Sequence, residues 1–153
     1  MSAVLKDSPR LEPMCEEDVP AVLAVEKEIY PYPWTRGNFV ESLRAGYQCW
    51  TYRNGAQLVG YFVLLIAAGE AHLLNLSVAG ANQRRGHGRA LLAEVIRMAR
   101  TQGARHVFLE VRPSNRAAQA LYTRFGFSRI ALRRGYYPAG AEREDALVLT
   151  LPL

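Results

Sequence analysis

The sequence predicts an α/β protein of the α+β kind, with one mixed central sheet flanked by helices. Three observations carry this reading. A hairpin signal, Asn54-Gly55, stands in the first half, whereas one-faced helical stretches separate the strands of the second half. The 153 residues suffice for one ordinary domain, spanning 1–153, to close a core without disulfides or metal. Half of them are apolar and 22% are charged, the balance of a folded chain and not of a disordered one.

Leu11 to Cys15 reads as a short strand. Glu16, Glu17, Asp18 and Pro20 then open a helix, with acidic groups suited to its positive end. Val19, Val22, Leu23, Glu26 and Ile29 form its single apolar stripe. Tyr30-Pro31-Tyr32-Pro33-Trp34 cannot continue that helix, because two prolines remove donors and push their predecessors extended. Thr35 caps a second short helix through Phe39, Val40 and Leu43.

Tyr47 to Arg53 and Gln57 to Ala67 pair as a hairpin, and Ala71 to Val78 is a third strand after Gly69-Glu70. Gly86 to Thr101 is a helix with Leu91, Leu92, Val95, Ile96 and Ala99 on one face, stopped by Gly103. His106 to Val111 is a strand. Pro113, Ser114 and Asn115 cap a helix from Arg116 to Phe125 that Gly126 ends. Phe127 to Leu132 and Ala146 to Leu151 are the last two strands. The order is β, α, α, β, β, β, α, β, α, β, β, and crossover helices after hairpins imply one mixed sheet.

Several functions are excluded or weakened at once. The longest apolar run, Leu58 to Ala68, is broken by Gly60 and too short to cross a bilayer, so no membrane partner is expected. Met1 to Glu12 carries Lys6, Asp7 and Arg10 with no apolar stretch behind them, unlike a secretory signal. Cys15 and Cys49 lack a C-x-x-C spacing and read as buried or idle thiols in a reducing, cytoplasmic setting. His72, His87 and His106 are too dispersed for a metal site and read as ordinary surface or strand residues. A balance of 19 basic against 14 acidic residues gives +5. The arginines cluster at a glycine loop instead of along one face, which points to a small phosphorylated ligand more than to nucleic acid.

That loop is Gln83-Arg84-Arg85-Gly86-His87-Gly88-Arg89, between a strand and a helix. Glycines let the backbone approach a ligand, and a helix start offers unpaired N–H groups and a positive dipole. With the arginines this makes a pyrophosphate cradle; the other reading is a basic surface turn that merely starts a helix. Neither the P-loop nor the dinucleotide fingerprint spacing occurs.

Q-x-x-G-x-G at the head of a helix resembles the acetyl-coenzyme A loop of the GNAT N-acetyltransferases, and the order of elements matches that family across essentially the whole chain. The resemblance sharpens at Pro33-Trp34, Glu70 to Val78, Gln83 to Leu92, Leu109-Glu110-Val111-Arg112-Pro113-Ser114-Asn115 and Arg134-Gly135-Tyr136-Tyr137-Pro138. These segments look like the RimI-type branch, bacterial enzymes that acetylate the N-terminal alanine of the eighteenth small-subunit ribosomal protein. The fold so implied has a mostly antiparallel sheet of about six or seven strands and about four helices.

By that resemblance, Leu76, Ser77 and Val78 hydrogen-bond the pantetheine arm of acetyl-CoA, Arg84, Arg85, Gly86, His87, Gly88 and Arg89 wrap its pyrophosphate, and Asn115 reaches it from a helix cap. Glu110 corresponds to the general base and Tyr122 to the general acid. Pro33, Trp34, Tyr136 and Tyr137 would wall a slot for the ribosomal N-terminus. No metal and no direct nucleic-acid partner is implied. Acidic groups at Glu26, Glu28, Glu41, Glu142, Glu144 and Asp145 are candidates to receive a basic peptide.

The residues themselves leave alternatives. Glu110, at the end of a strand, also reads as a solvated glutamate or a partner for Arg112. Tyr122 also reads as a core residue with its hydroxyl at the edge. A phenol near pKa 10 stays protonated at neutral pH and suits a thiolate leaving group. Other acceptors, namely another N-terminus, a lysine or a small amine, stay open, as does a non-catalytic coenzyme A-binding module.

Overall fold

The computed structural model describes residues 8–153, so the first seven residues of the leader reading at Met1 to Glu12 lie outside the described residues. Seven strands and four α-helices follow in the expected order. They are β1 (Arg10–Pro13), α1 (Val19–Ile29), α2 (Arg36–Arg44), β2 (Gln48–Asn54), β3 (Gln57–Ala67), β4 (Glu70–Val78), α3 (His87–Thr101), β5 (His106–Val111), α4 (Arg116–Arg124), β6 (Ser128–Ala139) and β7 (Glu142–Pro152). Short 3₁₀ turns precede α1 at Glu16–Asp18 and α3 at Gly80–Asn82.

The sheet order is β1-β2-β3-β4-β5-β7-β6. β4 and β5 run parallel, while β1/β2, β2/β3, β5/β7 and β6/β7 are antiparallel. The mixed, mostly antiparallel sheet is therefore as expected. The chain forms two compact units. One comprises the residues up to Leu64 with Asn75–Glu94; the other comprises Leu65–Leu74 with Val95–Leu153.

In the first unit, Val19 and Val22 of α1 are fully buried, as are Phe39 of α2 and Tyr61, Phe62 and Leu64 of β3. Burying one such side chain stabilises by about 1.5–3 kcal/mol, which is why the apolar spacing decides the faces. Phe39 meets Trp34 and Tyr61 at ring-centroid distances of 5.1 and 5.8 Å. Thr35 caps α2 by accepting from Asn38 N at 3.2 Å. Gly60 is needed for close approach, since a Cβ there would sit 2.6 Å from the Ser77 carbonyl oxygen.

In the second unit, Leu73, Val107, Leu109, Val111, Ala146 and Leu149 are buried on the strands, together with Val95, Ile96 and Ala99 of α3. Both last strands are longer than the sequence suggests. β6 runs on through Tyr136 and Tyr137 to Ala139, and β7 begins at Glu142. The register shifts between Arg133 and Tyr137, so the Arg134-Gly135-Tyr136 stretch bulges opposite Asp145. Asp145 accepts from Gly135 N at 2.8 Å and holds the bulge. Pro138 is tolerated because β6 is an edge strand. Bulge, proline and charges erase the period-2 pattern by which a strand is read.

Candidate active site

The glycine loop lies in the first unit. Arg84 and Gly86 both take positive φ, +63° and +84°, and Arg84, Arg85 and Arg89 are exposed. Gly86 O accepts from Ala90 N at 3.1 Å, so the loop turns directly into α3. Gln83 Nε2 donates to Val78 O at 3.0 Å, tying the loop to the end of β4. His87 stacks edge-on against Tyr52 at 5.9 Å. Exposed guanidinium groups beside a helix start fit a polyanionic ligand.

Leu76, Ser77 and Val78 end β4, whose ladder with β5 runs from Glu70↔His106 to Leu73↔Leu109. Around them is a hydrogen-bond network that sequence reasoning missed. Tyr30 Oη lies 2.7 Å from Ser77 Oγ, and Ser77 Oγ donates to Asn75 Oδ1 at 2.7 Å. A serine hydroxyl has one proton, so Tyr30 is the donor of that first pair. Asn75 Nδ2 then donates to Glu26 Oε1 at 3.0 Å. Glu26 also accepts from Tyr61 Oη at 2.7 Å and from Trp34 N at 2.9 Å. Burial pushes the Tyr30 phenol up to about 12, and burial with the Glu26 charge pushes Tyr61 up as well.

Glu26 is 2% exposed, and this corrects its reading as a peptide-receiving acid: its carboxylate is committed to three internal donors. Its place in the α1 stripe was the available signal. A carboxylate at an inward position needs buried donors, and Tyr61 of β3 and Asn75 of β4 supply them. Pro33 and Trp34 belong to this unit, with Trp34 fixed through its backbone to Glu26.

The second unit holds Glu110, Asn115, Tyr122, Tyr136 and Tyr137. Glu110 Oε2 lies 2.6 Å from His72 Nε2, and Glu110 Oε1 accepts from Arg133 at 3.1 Å. Its side chain is 12% exposed. Burial alone raises the carboxyl, but the His72 hydrogen bond and the charges of His72 and Arg133 outweigh it and hold Glu110 below the usual range. Its hydrogen-bond partners are thus His72 and Arg133, and the imidazole of His72, read from the sequence as an ordinary strand residue, is engaged with a candidate site residue.

Arg112 instead donates to Glu144 at 3.2 Å and to Pro138 O at 2.8 Å, and its guanidinium stacks on Tyr137 at 4.3 Å. Glu144 also accepts from Ser114 N and Oγ at 2.8 and 3.0 Å. These contacts pin the loop before α4, and they leave Glu144 and Asp145 engaged internally instead of open to a peptide. Glu28, Glu41 and Glu142 remain exposed.

Asn115 caps α4, its Oδ1 accepting from Ala118 N at 3.2 Å. Tyr122 is buried on α4, its ring 5.5 Å from Phe127. Tyr136 and Tyr137 meet edge-to-face at 4.8 Å, and Arg133 lies over Tyr136 at 4.7 Å. The structure thus joins Glu110, Arg133, Tyr136, Tyr137 and Arg112 into one cluster, with His72 the addition. Finding His72 needs the β4/β5 register, which a single sequence does not contain.

Among the described residues, no group of three or more histidine, cysteine or acidic side chains could hold a metal ion. Among the same residues no helix is long and apolar enough to cross a membrane. Cys49 is buried and Cys15 exposed, both as free thiols.

Residues 19–127 match the acetyltransferase (GNAT) family. The chain is 35% identical over 136 residues to the ribosomal protein bS18-alanine N-acetyltransferase of Escherichia coli, covering 89% of this chain and 92% of that protein. It is 31% identical over 144 residues to the protein of the same name from Haemophilus ducreyi, covering 94% and 99%. The crystal structure of the Escherichia coli enzyme superposes with a TM-score of 0.87 at 33% identity, over 94% of this chain and 93% of that one.

Proposed function

The chain belongs to the acetyltransferase (GNAT) family, and from that membership we propose that it transfers the acetyl group of acetyl-CoA to a protein N-terminus. The acceptor proposed is the N-terminal alanine of ribosomal protein bS18, the acceptor named for both relatives. Such an acceptor implies a cytoplasmic enzyme, acting as one acetyltransferase domain over 1–153.

The observation that carries the reading is Glu110: a carboxylate kept ionised by an imidazole hydrogen bond and a guanidinium, at the end of a strand, in a chain related over its length to N-terminal acetyltransferases. An N-terminal amine, of pKa about 7.7–8.0, is roughly 10% neutral at pH 7, so only modest help is needed to deprotonate it. Glu110 supplies the carboxylate of the general base, and Tyr122 protonates the leaving thiolate. Leu76, Ser77 and Val78 offer backbone groups to the pantetheine arm. Arg84 to Arg89 hold the pyrophosphate, with Asn115 at the cap of α4. Pro33, Trp34, Tyr136 and Tyr137 contact the acceptor.

Mass spectrometry of peptides incubated with acetyl-CoA tests the acceptor. A peptide beginning Ala-Arg should gain one acetyl group at its α-amine, and an N-terminally blocked peptide with free lysines should gain almost none. Preferential lysine modification would move the enzyme to another branch of the family. The loop is tested by heat: acetyl-CoA should raise the melting temperature by mass action, and Gly86→Val, strained at φ +84°, should lose that shift. An unchanged shift would remove the loop from the site.

A further inference from the structure

We propose that His72 is the group that takes the proton of the attacking amine, on its Nδ1 and directly or through one water, while Glu110 orients the ring and balances the charge it gains. This rests on the reading of the chain as an N-terminal acetyltransferase.

The pairing is built into the sheet. His72 stands opposite Phe108 in the β4/β5 ladder, and Glu110 lies two residues beyond Phe108, on the same face. On the other side, Glu110 is opposite Val148 and Arg133 is opposite Ala146. Val148 and Ala146 share a face, and the small Ala146 lets Arg133 reach across to Glu110. Each carboxylate oxygen therefore has its own partner, one the guanidinium and one the imidazole.

The proton positions follow. An ionised carboxylate only accepts, so at 2.6 Å the proton between the two groups belongs to His72 Nε2. In the neutral ring Nδ1 then carries a bare lone pair. Among the described residues Nδ1 has no hydrogen-bond partner, and the His72 side chain is 36% exposed against 12% for Glu110. The accessible basic atom of the pair is thus on the imidazole. A carboxylate whose oxygens are both committed is a poor acceptor for an ammonium proton. Imidazoles as a class exchange protons near neutrality, and a carboxylate that fixes the tautomer is the arrangement of the serine-protease triad.

The charged and titratable groups around the pair are Glu110 on β5 and Arg133, Tyr136 and Tyr137 on β6; on β7, Glu144 is held by Arg112. Burial and the Glu110 charge raise Tyr137, so it stays a neutral phenol. In the step itself the neutral amine nitrogen bonds to the acetyl carbonyl carbon and the carbon–sulfur bond breaks. The surplus proton on nitrogen passes to His72 Nδ1, and the departing thiolate takes one from Tyr122. His72 then releases its proton to water and Tyr122 regains one, so the sum is one proton moved from nitrogen to sulfur.

Two measurements decide it. Histidine-selective ¹⁵N NMR of the whole chain should show neutral His72 protonated on Nε2; the Nδ1–H tautomer would overturn the proposal without reference to any acceptor. In kinetics, His72→Gln keeps an amide donor for Glu110 but no basic nitrogen. Its turnover should fall at least about 100-fold, within the range of a lost general base. The KM for acetyl-CoA and the melting temperature should hold. Full turnover in His72→Gln beside an inactive Glu110→Gln would make the carboxylate the direct acceptor and sink the idea. Should the wild type acetylate lysine instead of the α-amine, with His72→Gln losing that rate equally, the pair stands and only the acceptor reading falls.

Discussion

Two glutamates, one in each compact unit, have opposite surroundings. Glu26, in the first, is 2% exposed and surrounded by neutral donors: a phenol, a side-chain amide and a backbone N–H. Glu110, in the second, is 12% exposed at its side chain and faces an imidazole and a guanidinium. Neutral donors fix geometry; titratable and charged partners create a group that can move a proton. Partner chemistry, more than burial, separates the two carboxylates, and on the function proposed above Glu110 is the one that serves the reaction.

The contrast is broken most sharply by removing the charge of Glu110. Glu110→Gln should reduce turnover by roughly 10²–10⁴-fold while affinity for acetyl-CoA is kept, measured by steady-state kinetics and a thermal-shift titration. Wild-type turnover would return Glu110 to a purely structural role.

Glu26→Ala should show the reverse, a loss of stability. It strands the Tyr61 hydroxyl, the Asn75 amide and Trp34 N–H in the interior, and one unpaired buried group costs about 1–3 kcal/mol. With relaxation, about 3 kcal/mol is expected, or roughly 6–12 °C in melting temperature for a domain of this size. Denaturant unfolding with an unchanged midpoint would deny the network its role. Tyr61→Phe removes one donor of the three and should cost only about 1 kcal/mol.

How much of this could be read beforehand differs between the two regions. All eleven elements and their order were legible, because Asn54-Gly55, the α3 stripe and the Asn115 and Thr35 caps are local signals. β6 beyond Leu132 was not, since the bulge at Gly135 and the edge proline Pro138 abolish alternation. Glu110 was singled out through its motif. His72 was not, because its pairing depends on the register of two parallel strands whose partners lie 36 residues apart, His72↔Phe108 among them. Glu26 was placed correctly on the inner stripe and then misassigned to the surface, a conflict that its buried donors resolve.

Acid sharpens the comparison with the smallest expected effect. Glu110 is held below its ordinary value of 4.5, so its ion pairs stabilise the fold above that pH. The contribution is lost as pH falls through the lower folded value. Glu110→Gln should therefore lose less stability than the wild type between neutral pH and the acid range, by melting temperature. Parallel curves would show that the pairs contribute nothing to folding.

The central claim is that Glu110 serves chemistry and not architecture. It is tested most directly by turnover of an Ala-Arg peptide at saturating acetyl-CoA, wild type against Glu110→Gln, on protein whose melting has been measured at neutral pH. The expected result is at least a 100-fold loss of acetylation with melting within about 2 °C of the wild type. Equal turnover, or a loss that merely tracks unfolding, would contradict it.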